Sequence, residues 1–153
     1  MEEQDLSVRA LIHVLLEEAD LIDELRDAVV EQRESVKNGD YVTMQDLMKR
    51  VQDTFFHVQA QEAQRVRLAD SAAKKFGCEP RISALSQVVP EEERALFRGS
   101  GERLGHSIFA LKSEMTILSG LIEQNERFSA MLLSEWRRLD AGFIRSGGLD
   151  FRG

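Results

Sequence analysis

Three histidines and a run of acidic residues are the side chains in this sequence that could hold a metal ion. A helical bundle can bind a pair of iron ions through Glu-x-x-His motifs on facing helices. None of the histidines, His13, His57 and His106, has a glutamate three residues before it, and they lie on different segments. We therefore interpret them as ordinary surface or boundary histidines.

A dense group of acids falls in the first predicted helix and consists of Glu17, Glu18, Asp20, Asp23, Glu24 and Asp27. Helical nucleotide pyrophosphatases bind magnesium through acidic pairs of this kind, completed by a second acidic motif on the next helix. The next predicted helix offers only Asp46, Asp53 and Glu62, at spacings that do not pair on one turn. We therefore interpret the group as a solvated face and expect neither a metal nor a cofactor.

Cys78 is the single cysteine, so no disulfide can form within the chain, which is typical of the reducing cytoplasm. It falls in a connector without a nearby histidine, which argues against nucleophilic catalysis. No glycine-rich phosphate loop follows a strand, because no strand is predicted. The sequence therefore predicts a protein that is not an enzyme.

The composition favours a helical protein that does not bind nucleic acid. Charged residues make up 31% of the chain and only two prolines occur, which suits long solvated helices. The net charge of −7 arises within residues 1–38, where 11 acids outnumber 4 bases. No basic stripe remains to neutralise phosphates. No apolar run approaches the roughly 20 residues of a membrane span, and the acidic start MEEQDLS is not a secretory signal.

Two long helices are predicted first. Apolar residues at alternating spacings of three and four indicate a helix from Asp5 to Lys37, with Glu18 and Gln32 interrupting the apolar line. This helix is expected to end at Asn38-Gly39, a usual left-handed stop. The second helix is expected to begin at Thr43 as N-cap and to end at Gly77. Its polar middle, residues 59–65, is expected to be exposed or thinly packed.

A third long helix follows a connector, residues 78–89, which holds one short helix around residues 83–88. Pro90 is expected to open it, and three glycines between Gly99 and Gly105 leave its continuity there undecided. From Leu104 the apolar spacing continues to Phe143, with Asn125 in the same line. An unbroken third helix of about 50 residues would span roughly 75 Å and extend beyond the other two.

The predicted fold is all-α. It is an elongated antiparallel bundle of three long helices with a short connector helix, covering residues 1–140, followed by a flexible apolar tail, residues 141–153. The glycines of the tail prevent a stable helix, whereas its large apolar residues could anchor it to another surface.

The sequence resembles the FlgN-type flagellar export chaperones over residues 8–140. The resemblance rests on LIHVLLEEADLIDELRDAVVEQRESV, GDYVTMQDLMKRV, the pair Glu62 and Arg65 with LADSAAKKFG, and LSGLIEQNERFSAML. Asn125 matches an asparagine typical of the family's last long helix, and Ile122 stands where the family often has an earlier asparagine.

The resemblance implies a cytoplasmic, non-enzymatic chaperone. Such proteins bind the C-terminal helical segments of hook–filament junction proteins of the FlgK and FlgL type, prevent their premature assembly and present them to components of the flagellar export gate. An amphipathic client helix would find a substitute apolar face on the chaperone. The alternative is a homodimeric structural or regulatory coiled-coil protein, with the third helices of two copies paired.

The client site is expected on residues 118–151, where the third helix outruns its neighbours. Its predicted residues are Leu118, Ile122, Asn125, Phe128, Leu132, Trp136, Leu139, Phe143, Ile144, Leu149 and Phe151. Within this stripe, the amide of Asn125 either fixes the register of a helix pair or bonds a core polar group such as Gln32 or Glu18.

Overall fold

The computed structural model describes residues 2–125 and 137–141 of the chain. Four helices fill most of the first range: α1 (Glu2–Asn38), α2 (Tyr41–Phe76), α3 (Ile82–Val88) and α4 (Glu91–Gln124). Residues 137–141 are also helical, and the described residues contain no strand, which confirms the all-α class. The predicted tail lies outside the described residues from residue 142 onward, and it stays a prediction.

A tight turn separates α1 from α2. Gly39 adopts the left-handed conformation with φ 67°, and its N–H donates to the Val36 carbonyl. Asp40 then caps α2, because its carboxylate accepts hydrogen bonds from the Thr43 N–H at 3.1 Å and from the Thr43 hydroxyl at 2.6 Å. These hydrogen bonds lower the pKa of Asp40. The prediction that Thr43 is the N-cap is therefore wrong, because Thr43 donates to the carboxylate of Asp40, three residues earlier.

α1 is the central helix of the bundle. It packs along its length against both α2 and α4, whereas few contacts link α2 directly to α4. α2 runs antiparallel to α1, because Arg50 meets Glu31 at 2.6 Å near one end and Lys75 meets Ser7 at 3.1 Å near the other.

α4 runs parallel to α1. Arg9 lies 3.3 Å from Glu93 where both helices start, and Arg33 lies 2.7 Å from Glu114 further along both. The predicted antiparallel bundle is thus confirmed for α1 with α2. α4 has the direction of α1, because α2 ends beside the start of α1 and the short α3 leads into α4 from there.

α4 passes through its glycines without a break, from Glu91 to Gln124. Gly101 lies where α3 packs against α4: a Cβ placed there would be 2.9 Å from Cγ2 of Ile82. The missing side chain therefore lets the connector helix approach closely, and Leu85 of α3 is completely buried there.

The predicted continuation of this helix to Phe143 is wrong. α4 ends at Gln124, and Asn125 has an extended conformation in which its N–H donates to the Ile122 carbonyl. Asparagine favours helix ends, where its amide can bond to the backbone. Further along, Leu139 is buried as part of the bundle core. Packing against the bundle removes the Leu139 side chain from water. A helix that continued beyond its neighbours would leave this side chain exposed.

Candidate functional site

The predicted client-binding residues divide into three groups. Leu118, Ile122 and Leu139 are buried in the bundle core. Asn125 is half-buried at the end of α4. The others lie outside the described residues: Phe128, Leu132, Trp136, Phe143, Ile144, Leu149 and Phe151.

Asn125 does not occupy the middle of a long helical seam. It follows the last turn of α4, so the continuous helix in which it was expected to lie is wrong, while its role in fixing the register of a helix pair stays a prediction. The two core groups suggested as its partners are engaged elsewhere, because Gln32 donates to the sulfur of Met48 at 3.2 Å and Glu18 faces α2.

A separate apolar feature lies on the solvent side of α4, where the sequence pattern did not indicate a site. Phe109 is 74% exposed and Ile117 is 45% exposed. They are eight residues apart and share one helix face with Ser113, Thr116 and Gly120. We call these five residues the outer stripe. It contains no charged side chain, in a chain whose residues are 31% charged.

The outer stripe was missed because the strongest apolar line of α4 faces the core. Leu104, Leu111 and Leu118 form that line and are completely buried. Phe109 and Ile117 fall between its positions, and single apolar residues on a surface carry no signal by themselves. The uncharged residues that share this helix face with them, Ser113, Thr116 and Gly120, were the available signal.

The most unusual site in the described structure is a buried cluster of three charged residues, Glu18 of α1 with Glu62 and Arg65 of α2. Each is at most 4% exposed. Arg65 holds Glu62 with one edge of its guanidinium: Nε donates to Oε2 at 2.9 Å and Nη2 donates to Oε1 at 2.5 Å. Bidentate pairs of this kind are the strong form of ion pair.

Glu18 completes the cluster from the other helix. Its Oε2 lies 3.7 Å from Arg65 Nε, beyond hydrogen-bond distance, and that buried oxygen has no hydrogen-bond partner. Burial, followed by the hydrogen bond to Glu62 and that group's charge, raises the pKa of Glu18 to about 10. Burial and the facing carboxylate of Glu62 thus favour the protonated form of Glu18, which can donate a hydrogen bond.

Glu62 carries the negative charge of the cluster. Burial by itself would raise the pKa of Glu62, but hydrogen bonds from Arg65 and Glu18 and the charge of Arg65 outweigh it, so that the pKa is lowered. One proton is thus held between two facing carboxyl groups, and the guanidinium balances the charge that remains.

The cluster corrects the expectation for the polar middle of α2. Residues 59–65 were expected to be exposed or thinly packed, yet Glu62 and Arg65 are among its buried residues. Both continue the apolar spacing of Val51 and Val58, and Glu18 likewise falls within the apolar line of α1. A charged residue at a core position of each helix was the signal that the helices meet there.

The rest of the acidic group on α1 is mainly a solvated face with ion pairs. Asp20 and Asp23 accept hydrogen bonds from Arg103 of α4 at 2.5 and 3.3 Å, which joins α1 to α4 at the surface. Residues 2–125 and 137–141 contain no group of three or more side chains arranged to hold a metal ion. His13, His57 and His106 are all exposed, as predicted.

None of the helices in the described parts of the chain is long and apolar enough to cross a membrane.

Cys78 is half-buried and packs against the core beside the end of α2.

A family model described as FlgN protein matches residues 1–143. No curated protein and no solved structure matches the chain.

Proposed function

Because the chain belongs to the FlgN family of flagellar export chaperones, we propose that it binds the C-terminal helical segments of hook–filament junction proteins. Chaperones of this family bind hook-associated proteins of the flagellum. The proposal adds that clients of the FlgK and FlgL type are bound in the cytoplasm, are kept from assembling before export, and are presented to components of the export gate. The role is non-catalytic.

The match to the family over residues 1–143 is the observation that carries this proposal. The architecture supports it, because helices presenting apolar surface are suited to bind an amphipathic client helix. A client segment that would otherwise pair with other subunits can bury its apolar face on the chaperone instead.

We place the client site on the outer stripe of α4 together with the chain that follows Gln124. The stripe offers Phe109 and Ile117 as exposed anchors two helical turns apart. Ser113 has a small side chain and Gly120 has none, which permits close approach of a second helix. The predicted residues from Phe128 to Phe151 would extend this surface, and Leu118, Ile122 and Leu139 would contribute only if the core opened.

The test measures binding of a synthetic C-terminal segment of a hook–filament junction protein to the full chain by calorimetry. Replacing Phe109 and Ile117 together by serine should weaken binding at least about tenfold, since two anchors each lose about 1.5 kcal/mol or more of apolar burial. Phe56→Ser is the matched control, because Phe56 is 67% exposed but lies on α2. Equal binding by the double variant, the control and the native chain would remove the outer stripe from the site.

A second pair of measurements addresses the remainder of the site and the alternative function. A chain truncated after Leu139 should bind the client segment more weakly if the predicted tail contributes. Light scattering on the native chain with and without the segment separates a chaperone from a homodimeric coiled coil. A stable dimer that ignores the segment would favour the homodimer.

A further inference from the structure

The central helix α1 has two seams of different chemistry. Its seam with α4 contains large apolar residues of that helix, including Leu104, Leu111 and Leu118, all completely buried. Its seam with α2 is apolar as far as Val58 of that helix and then becomes polar. The buried residues of α2 beyond Val58 are Glu62, Arg65, Ala69, Ala72 and Ala73.

The polar layer of this second seam is best paired in one arrangement of the two helices, in which only Oε2 of Glu18 among the carboxylate oxygens of the cluster lacks a hydrogen-bond partner. Glu18 has a partner only where Glu62 lies opposite, and Arg65 must be at the same level to balance the charge. A shift of α2 by one heptad would place Phe55 or Ala69 near Glu18 instead. Glu62 and Arg65 would then lie against apolar neighbours, which strongly disfavours the shifted register.

The same reasoning applies to any other helix that takes the place of α2. An amphipathic helix with an apolar face would cover the α1 seam well at Leu11, Leu15 and Ile22, all of which are buried beneath the bundle. At Glu18, however, it would offer no hydrogen-bonding group. The carboxyl would be left buried and unpaired, a penalty that apolar contact elsewhere does not remove.

We propose that the buried Glu18–Glu62–Arg65 cluster makes the α1 seam selective for the chain's own α2 and excludes foreign amphipathic helices from it. This selectivity is a property of the fold and goes beyond the proposed function. Its benefit to the protein rests on the proposed function, because a protein that binds amphipathic helices must keep its own α1–α2 hairpin from exchanging with them. The cluster protects the hairpin while the client binds elsewhere.

The experiment uses the full chain and a fluorescent peptide of residues 41–76 that carries Glu62→Leu and Arg65→Met. This probe is the chain's own α2 with an apolar face throughout, so it competes for the α1 seam without any client. Binding is followed by fluorescence anisotropy to the native chain and to Glu18→Leu. The variant should bind the probe at least about tenfold more tightly than the native chain does.

Two control variants make the comparison specific. Glu18→Gln keeps a neutral hydrogen-bonding group at the same place and should exclude the probe as the native chain does. Glu24→Leu removes the charge of an exposed acid on the same helix and should also behave as native. Equal binding of the probe by Glu18→Leu, Glu24→Leu and the native chain would overturn the proposal.

Circular dichroism checks that each variant remains helical. If Glu18→Leu unfolds, Glu18→Ala takes its place, since it also removes the hydrogen-bonding group from the α1 seam. It should fold and bind the probe at least about tenfold more tightly than the native chain does. A folded Glu18→Ala that still excludes the probe contradicts the proposal, and so does one that cannot fold, because the cluster would then serve folding rather than selectivity. Client affinity enters none of these outcomes, so failure here is distinct from failure of the proposed function.

Discussion

Arg65 and Glu62 lie one helical turn apart on α2 and form a two-point ion pair that is almost entirely removed from solvent. The pair faces Glu18 of α1, so it belongs to the interface between two helices rather than to the surface of one. Surface pairs at this spacing contribute a few tenths of a kcal/mol, whereas a buried pair makes each partner depend on the other.

We expect Arg65→Met to destabilise the protein strongly. Removing the guanidinium leaves the Glu62 carboxylate buried without its counter-charge, and breaking a buried pair in this way costs about 3–5 kcal/mol. The measurement is urea unfolding followed by circular dichroism. Arg67→Met is the control, because Arg67 is exposed on the same helix and should change stability little. A loss of less than about 1 kcal/mol on Arg65→Met would mean that the cluster is far more hydrated than its burial indicates.

Glu18→Gln should stabilise the protein at neutral and alkaline pH. The folded chain holds the pKa of Glu18 at about 10, well above the ordinary 4.5, because the side chain is buried and bonded to Glu62. The unfolded chain therefore releases this proton at much lower pH than the folded chain does. The stability that Glu18 contributes is complete below pH 4.5 and is lost progressively as pH rises toward about 10.

Glutamine keeps a neutral hydrogen-bonding group without that loss. The melting temperature of Glu18→Gln should exceed the native value by an amount that grows from pH 5 to pH 9, as measured by thermal unfolding across that range. Glu62 acts in the opposite sense, because its lowered pKa contributes stability that is lost as pH falls. The native chain and Glu18→Gln should both lose this contribution at acid pH. The same exchange at the exposed Glu24 should leave the pH profile unchanged. Parallel profiles for native chain and Glu18→Gln would show that Glu18 is ionised in the fold.

Two glycines of α4 should respond in opposite ways to alanine. Gly99→Ala introduces a Cβ that meets nothing within 4 Å, so it should stabilise the helix by about 1 kcal/mol through its better helix propensity. Gly101→Ala gains the same propensity but places its Cβ 2.9 Å from Cγ2 of Ile82, a stiff β-branched side chain. It should be less stable than Gly99→Ala, with faster hydrogen exchange in α3. Equal gains from both would mean that α3 does not press on α4 at this point.

Much of the fold follows from local patterns in the sequence. The helix ends at Gly39 and Gly77 were predicted correctly, because a left-handed glycine is a local requirement that the sequence records directly. The N-cap of α2 was misplaced because Asp40 and Thr43 are both good capping residues, and only the backbone geometry distinguishes the donor from the acceptor.

The features that depend on contacts between helices were less accessible. The apolar spacing of α4 does not show where its packing partner ends. The end of the helix at Gln124 and the burial of Leu139 in the core were therefore not predicted. The roles of Glu18 and Glu62 were also missed, since a charge at a core position is interpretable only when the charge opposite it is known. The client-binding residues beyond Asn125 remain predictions, because they lie largely outside the described residues.

Leu139 should contribute to the stability of the free protein, although it follows the end of α4 by fifteen residues. Its side chain is only 3% exposed, in contact with the core of the bundle. Truncating a buried leucine to alanine removes apolar burial and leaves a cavity, so Leu139→Ala should destabilise the chain by about 2–5 kcal/mol in urea unfolding. The neighbouring Asp140→Ala is the control, because Asp140 is exposed and its loss should change stability little. If Leu139→Ala stays within about 0.5 kcal/mol of the native chain, as an ordinary surface substitution does, then residues 137–141 do not hold to the bundle in solution. The apolar surface that they cover would then be open to a client from the start.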